Sequence, residues 1–229
     1  MWQTLYDTNR DQNFVVIAVA MDNDIEAARP WIEEAKPTYP VLIDREHRVA
    51  ELYDMINVPQ AVWIDEQGRM VRPAENAGAF EAFRALNFET GSVPDAVAAV
   101  AGQARATYLA AIGDWIEKGA DSIHAFDDAT VRLHLGDANE DFAHAHVLFR
   151  LGIYLRHGGS DSEADECLAE ASRLHPKSWN IWRQAADTLE NGLAAGPDFW
   201  ARVTALGTEH YYPPVDMAGM PKDPPPPVG

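Results

Sequence analysis

The stretch Asn57-Val58-Pro59-Gln60-Ala61-Val62-Trp63-Ile64-Asp65, with Gly68 and Arg69-Met70-Val71 just after it, decides how this chain is read. An apolar run from Ala61 to Ile64 follows a proline directly and ends at Asp65-Glu66-Gln67-Gly68, a polar turn signal. A second short strand-like piece then returns. Proline has no N–H to give a sheet ladder, so Pro59 belongs at the first position of the strand. A cis Val58–Pro59 bond at that point would present a backbone edge at the sheet's end.

Upstream, Phe14 to Ala20 is an unbroken apolar run rich in β-branched residues and ended by Asp22-Asn23-Asp24. Such a run predicts a strand buried on both faces of a parallel sheet. Asp24 can cap a helix of about ten residues with Ile25, Ala28, Ile32 and Ala35 on one face, closed by Pro37. Tyr39 to Asp44 predicts a second strand, and Val49, Leu52, Tyr53 and Ile56 give the next helix its apolar face. Ahead of all these, Trp2, Leu5 and Tyr6 share one helical face, with no capping signal before them. The alternation of strand and helix predicts an α/β region with helices packed on a mostly parallel sheet.

The segment "NVPQAVWIDEQGRMV" resembles the "gVPttflID–GrIv" segment of thioredoxin-fold proteins, specifically the TlpA/ResA-like thiol–disulfide oxidoreductases of the AhpC/TSA-like superfamily. The upstream order "FVVIAVAMD", a helix, then "YPVLIDREHRVAELYDM" agrees with it, so the resemblance runs from about Trp2 to about Val71. It implies thiol–disulfide exchange with a disulfide-bearing or peptide partner protein, Val58 and Pro59 pairing with the substrate backbone and Trp2 standing beside them. In that family the cis-proline faces a Cys-x-x-Cys at the start of the first helix. This sequence has no such motif. Its opening "WQTLY" resembles the end of the helix that carries the pair, so the redox-active cysteine or selenocysteine is expected upstream of Met1, and the chain as given is expected to be inactive.

A physical consequence follows. The family's mid-sheet strand, between "FVVIAVA" and "AVWI", has no residues here. Each of those strands would then carry an unpaired edge, a costly and aggregation-prone state. Either the two strands close on each other, or a neighbouring chain fills the gap as a homo-oligomer, or further residues precede Met1; the last is expected. After the strand pair, Pro73 to Gly78 is expected as loop and Phe80, Phe83 and Leu86 as a helix.

The chain therefore divides into a thioredoxin-like domain at 1–90, an all-α domain at 91–210 and a proline-rich tail at 211–229 expected to be extended and mobile. Val97, Val100, Ala101, Ala104, Tyr108, Leu109, Ile112 and Trp115 run at helical spacing, and Gly119 to Asn139 reads as an irregular connection. Leu148, Leu151-Gly152, Leu155, Ala164, Leu168, Ala171 and Pro176 resemble a tetratricopeptide repeat, with Trp182 opening a second half unit. Gly152 and Ala164 are small enough to let two antiparallel helices approach closely.

Charge narrows the partners. A net charge of −18 repels nucleic acid and anionic membrane. The one cysteine, Cys167, excludes an intrachain disulfide. It is placed on an inward-facing helix pattern beside Asp165 and Glu166, which disfavours it as a nucleophile. His144 and His146 fall on different helix faces, and with His134 and His157 they lack ligand spacing, so no metal site is assigned. Asp22, Asp24, Asp44 and Asp65 end strands or begin helices, ordinary turn and cap chemistry. No catalytic residue and no cofactor are assigned. With no basic-then-apolar leader after Met1, the chain as written reads as cytoplasmic, and export stays open if residues precede Met1, so the compartment is unassigned. The reading from a different class is a redox-dead thioredoxin scaffold whose repeat-like helices bind protein.

Overall fold

The computed structural model describes residues 1–22, 24–137, 139–190 and 192–225. They form two compact units, each assembled from two stretches of chain: Met1–Asn57 with Leu135–Ala194, and Val58–His134 with the segment from Ala195 onward. No helix among the described residues is long and apolar enough to cross a membrane.

In the first unit, α1 (Trp2–Asn9) half-buries Trp2, Leu5 and Tyr6, and the Tyr6 ring meets Tyr39 edge-on at 5.8 Å. Next come β1 (Ala18–Ala20), α2 (Ile25–Ala35), β2 (Val41–Ile43) and α3 (Arg48–Leu52). β1 and β2 pair in parallel with Ala18 opposite Val41 and Ala20 opposite Ile43. The strand expected over Phe14–Ala20 is thus three residues long. Its expected burial on both faces is also overturned: Val15 and Ile17 are 53% and 56% exposed. The reason is that, among the described residues, β2 is the only strand beside it, so the run finds a ladder partner only at its end.

Asp24 caps α2 as expected, accepting from the Glu26 N–H at 3.0 Å, and the helix stops at Lys36 in the left-handed region just before Pro37. Asn23 lies outside the described residues. α3 is shorter than its apolar pattern suggested, and Leu52 is exposed while Ala50 is buried. Asp44 decides this local geometry: its carboxylate accepts from the N–H groups of Arg48 (2.8 Å), Val49 (2.6 Å) and Ala50 (3.3 Å), satisfying the first turn's otherwise orphaned donors.

The same unit contains α6 (Glu140–His157), α7 (Asp161–Leu174) and α8 (Trp179–Ala185). Ala145, Phe149, Ile153, Leu168, Ala171 and Ile181 form one apolar cluster. Gly152 of α6 lies so close to α7 that a Cβ there would meet Leu168 Cγ at 2.7 Å. Asn139 caps α6 and Ser178 caps α8, each through its own side-chain oxygen.

The second unit begins with the hairpin of β3 (Gln60–Ile64) and β4 (Met70–Asn76), antiparallel with Gln60 opposite Asn76 and Ile64 opposite Met70. β4 runs through Pro73, which was expected in a loop, and the expected helix through Phe80 and Phe83 is a 3-10 turn at Ala82–Ala85. α4 (Asp95–Lys118) buries Ala104, Tyr108, Ala111 and Ile112. The connection after it, expected to be irregular, contains α5 (Asp128–Leu135), whose N-terminal Thr130 N–H bonds the Asp127 carboxylate at 2.8 Å. α9 (Pro197–Ala205) follows.

Within the proline-rich segment, expected to be extended, the Met220 N–H closes a turn onto the Met217 carbonyl at 3.2 Å. Tyr211, Val215, Met217 and Met220 are all buried, and the backbone carbonyl of Asp216 accepts from Arg72 at 2.9 Å. Residues 226–229 of that segment lie outside the described residues.

Where a single mostly parallel sheet was expected from the sequence, the described residues form two two-stranded ladders, one parallel and one antiparallel. β1 and β3 belong to different ladders.

Candidate functional site

The hairpin turn after β3 is built by Asp65, whose carboxylate accepts from the backbone N–H groups of Gln67 (3.0 Å) and Arg69 (2.8 Å) and from Arg69 Nε (2.9 Å). Gly68 sits at φ +75 with nothing within 4 Å of a Cβ there, so its role is the left-handed turn itself. The turn fixes the register, and the register places the chain ahead of Gln60. The Val58–Pro59 peptide bond is cis. The Pro59 carbonyl accepts from the Ala77 N–H at 3.2 Å, so the ladder's last rung lies just beyond β4. Both Val58 and Pro59 are exposed.

One occupant already reaches this edge. The Tyr212 hydroxyl donates to the Val58 carbonyl at 3.1 Å, bringing the proline-rich segment onto the residue expected to pair with a substrate backbone. Sequence reasoning missed Tyr212 because nothing in a Tyr-Tyr-Pro-Pro run says where a hydroxyl 154 positions from its acceptor will land. Trp2 belongs to the other unit, where it is half-buried on α1.

Behind β3 the second unit is held by buried polar groups that satisfy one another. Arg72, 1% exposed, forks onto Glu75 through Nε (2.7 Å) and Nη2 (2.8 Å), donates to the His124 carbonyl at 2.9 Å, and lies 4.1 Å over the Phe126 ring. A guanidinium placed this way keeps its donors paired while its face rests on an aromatic ring. The Trp63 indole N–H donates to the Tyr108 hydroxyl at 2.9 Å. Burial pushes the Tyr108 pKa well up, and the Glu75 carboxylate adds to it. Gly78, at φ +72, allows this packing, since a Cβ there would meet Tyr108 Cβ at 2.8 Å.

Residues 2–72 match the AhpC/TSA family. The segment is thioredoxin-like. No curated protein and no solved structure matches the chain. The thioredoxin-like segment thus ends inside β4 at Arg72, and it includes α1, both strands of the parallel ladder and the cis Val58–Pro59 bond.

Within it, the strand-end aspartates are spent on local structure. Asp22 accepts from the Asp24 N–H at 3.0 Å, and Asp24, Asp44 and Asp65 make the cap and turn contacts given above. Cys167, expected to be buried, is half-buried on α7. Val58 and Pro59 thus lie exposed ahead of β3, and residues 2–72 hold no cysteine thiol.

Three side chains of the first unit form a different grouping. Asp54, His146 and His175 each offer one donor atom, and these atoms all lie within 4.8 Å of one another. His146 is on α6, and its partner on α7's C-cap is His175 rather than any of His134, His144 or His157. Sequence spacing could not find this set, because the three positions are brought together only by the α6–α7 pairing and the turn after α3.

Proposed function

We propose that this chain is part of a TlpA/ResA-type thiol–disulfide redoxin in which the 229 residues supply the substrate-presenting edge, while the redox-active sulfur or selenium lies outside them. The observation that carries this reading is the exposed Val58–Pro59 pair immediately ahead of β3, within a segment matched by the AhpC/TSA family. In such chemistry a thiolate or selenolate attacks one sulfur of a substrate disulfide and the other sulfur leaves as a thiolate. The role of Val58 is to hold the substrate strand by backbone hydrogen bonding. Tyr212 holds the Val58 carbonyl until that strand arrives. Cys167 does not replace the missing group, because it stands on a helix of the α6–α7 pair and not at the N-terminus of the thioredoxin-like helix.

The test is reduction of insulin disulfides by the 229-residue chain with dithiothreitol as the electron source. The expected result is the uncatalysed rate, unchanged in Cys167→Ser. Catalysed turnover that disappears in Cys167→Ser would refute the assignment.

A second reading is favoured by one specific observation. Val147, Leu151 and Tyr154 of α6 are 60%, 44% and 74% exposed and fall at i, i+4 and i+7, an unpartnered apolar stripe on a tetratricopeptide-like helix pair. A protein-binding scaffold would use that stripe. Leu151→Glu is then expected to abolish capture of the partner without touching the hairpin of β3 and β4.

A further inference from the structure

His175 is a problem the thioredoxin-like reading does not touch. Its ring is 2% exposed, and neither ring nitrogen has a hydrogen-bond partner among the described residues. A neutral imidazole carries one donor and one acceptor, and burying both without partners is costly. The ring is held in place: it stacks on Phe142 with centroids 3.8 Å apart and planes 8° apart, and His146 meets it edge-on at 5.9 Å. Its Nε2 stands 3.9 Å from Asp54 Oδ1, too long for a hydrogen bond.

We propose that Asp54, His146 and His175 bind a divalent transition-metal ion, with zinc the best match. Two imidazole nitrogens and one carboxylate oxygen form a borderline donor set that suits zinc rather than calcium or magnesium. Donor atoms on a tetrahedral zinc stand roughly 3.3 Å apart, from bonds of about 2.0–2.1 Å. The 3.9 Å gap closes by a small movement of Asp54, whose side chain is 57% exposed on the left-handed turn after α3. The two histidines are the fixed half of the site, being anchored on the packed pair α6 and α7, and Asp54 is the adjustable half.

Three protein ligands leave the fourth position to water, the open pattern of an exchangeable or reactive zinc rather than a closed structural one. The bound ion would tie the turn after α3 to the α6–α7 pair. Because the unfolded chain does not hold the three donors together, metal binding stabilises the fold of this unit.

The experiment uses the full chain, stripped with a chelator and titrated with zinc by equilibrium dialysis, with cobalt as a spectroscopic probe. One equivalent of zinc should bind, and cobalt should give the intense visible absorption of a four-coordinate site without thiolate charge transfer. Asp54→Ala and His146→Gln, each checked for an unchanged far-ultraviolet spectrum, should each weaken zinc by about tenfold or more. His144→Gln, an exposed neighbour on α6, should bind as the parent does. Zinc should also raise the thermal midpoint of the parent and not of Asp54→Ala. The proposal is overturned if the parent binds no more tightly than Asp54→Ala, or if His144→Gln weakens binding as much as His146→Gln. Insulin reduction is not a readout here, so the outcome stands apart from the redoxin reading.

Discussion

Replacing Gly152 with alanine tests the helix pair where it is tightest. The new methyl carbon would stand 2.7 Å from Leu168 Cγ, 2.9 Å from Leu168 Cδ2 and 3.2 Å from the Ala164 carbonyl oxygen. Carbon atoms settle at about 3.5–4.0 Å, so α6 and α7 would have to separate by something approaching 1 Å, or Leu168 leave its rotamer. Leu168 and Ala164 are both 0% exposed, which leaves no slack around the contact. Two effects compete. Alanine in place of glycine inside a helix gains about 1 kcal/mol, whereas overpacking a filled core costs about 1–3 kcal/mol. Overpacking wins where the obstacle is a buried Cγ and a backbone oxygen, giving a net loss of up to about 2 kcal/mol. Gly102, exposed inside α4 with nothing within 4 Å of its Cβ position, supplies the control, since Gly102→Ala should gain up to about 1 kcal/mol. Urea unfolding followed by circular dichroism reads both, and at constant slope the two variants' midpoints should move in opposite directions. If Gly152→Ala raises the midpoint as Gly102→Ala does, the close approach of α6 and α7 is wrong.

Other consequences are equally open to measurement. Tyr108→Phe removes the acceptor for the Trp63 indole N–H at a site where both residues are buried, and should cost about 1–3 kcal/mol by chemical unfolding. Because folding raises the Tyr108 pKa, its contribution is fully present below the ordinary tyrosine value of 10.0 and is lost as pH rises from there through the folded value. Stability above pH 10.0 should therefore fall less steeply in Tyr108→Phe than in the parent. Asp44→Ala strips the acceptor from three N–H groups at the start of α3 and should cost about 1–2 kcal/mol, read as a lower thermal midpoint. The open ladder of β1 and β2, with Val15, Ile17 and Leu42 exposed, should make the chain self-associate in sedimentation as concentration rises; Ile17→Lys should suppress it.

What could be read from the sequence was the local chemistry. Asp24 as a cap, Pro37 as a stop, Pro59 ahead of a strand and the Gly152–Ala164 contact each depend on neighbours in the chain or on one periodicity, and each is found in the structure. What failed depended on partners the sequence does not display. Phe14 to Ala20 reads as a doubly buried strand because composition reports an apolar run, not how many strands will lie beside it. The 119–139 stretch looks irregular because its polar residues are numerous, yet Asp127 and Asp128 start a helix there. The same limit applies to the candidate sites. Pro59 ahead of β3 was legible because the signal is contiguous, whereas the Tyr212 contact and the Asp54–His146–His175 group come only from long-range packing.

The most direct measurement restores what the account says is missing. A β-branched strand and a Trp-x-x-Trp-Cys-x-x-Cys segment are fused ahead of Met1, and the folded fusion is assayed for insulin reduction. Turnover well above that of the 229-residue chain, lowered by Pro59→Ala, is the expected result. A folded fusion whose cysteines react with a thiol reagent yet reduce no insulin would contradict the claim that this chain is a redoxin fold lacking only its redox group.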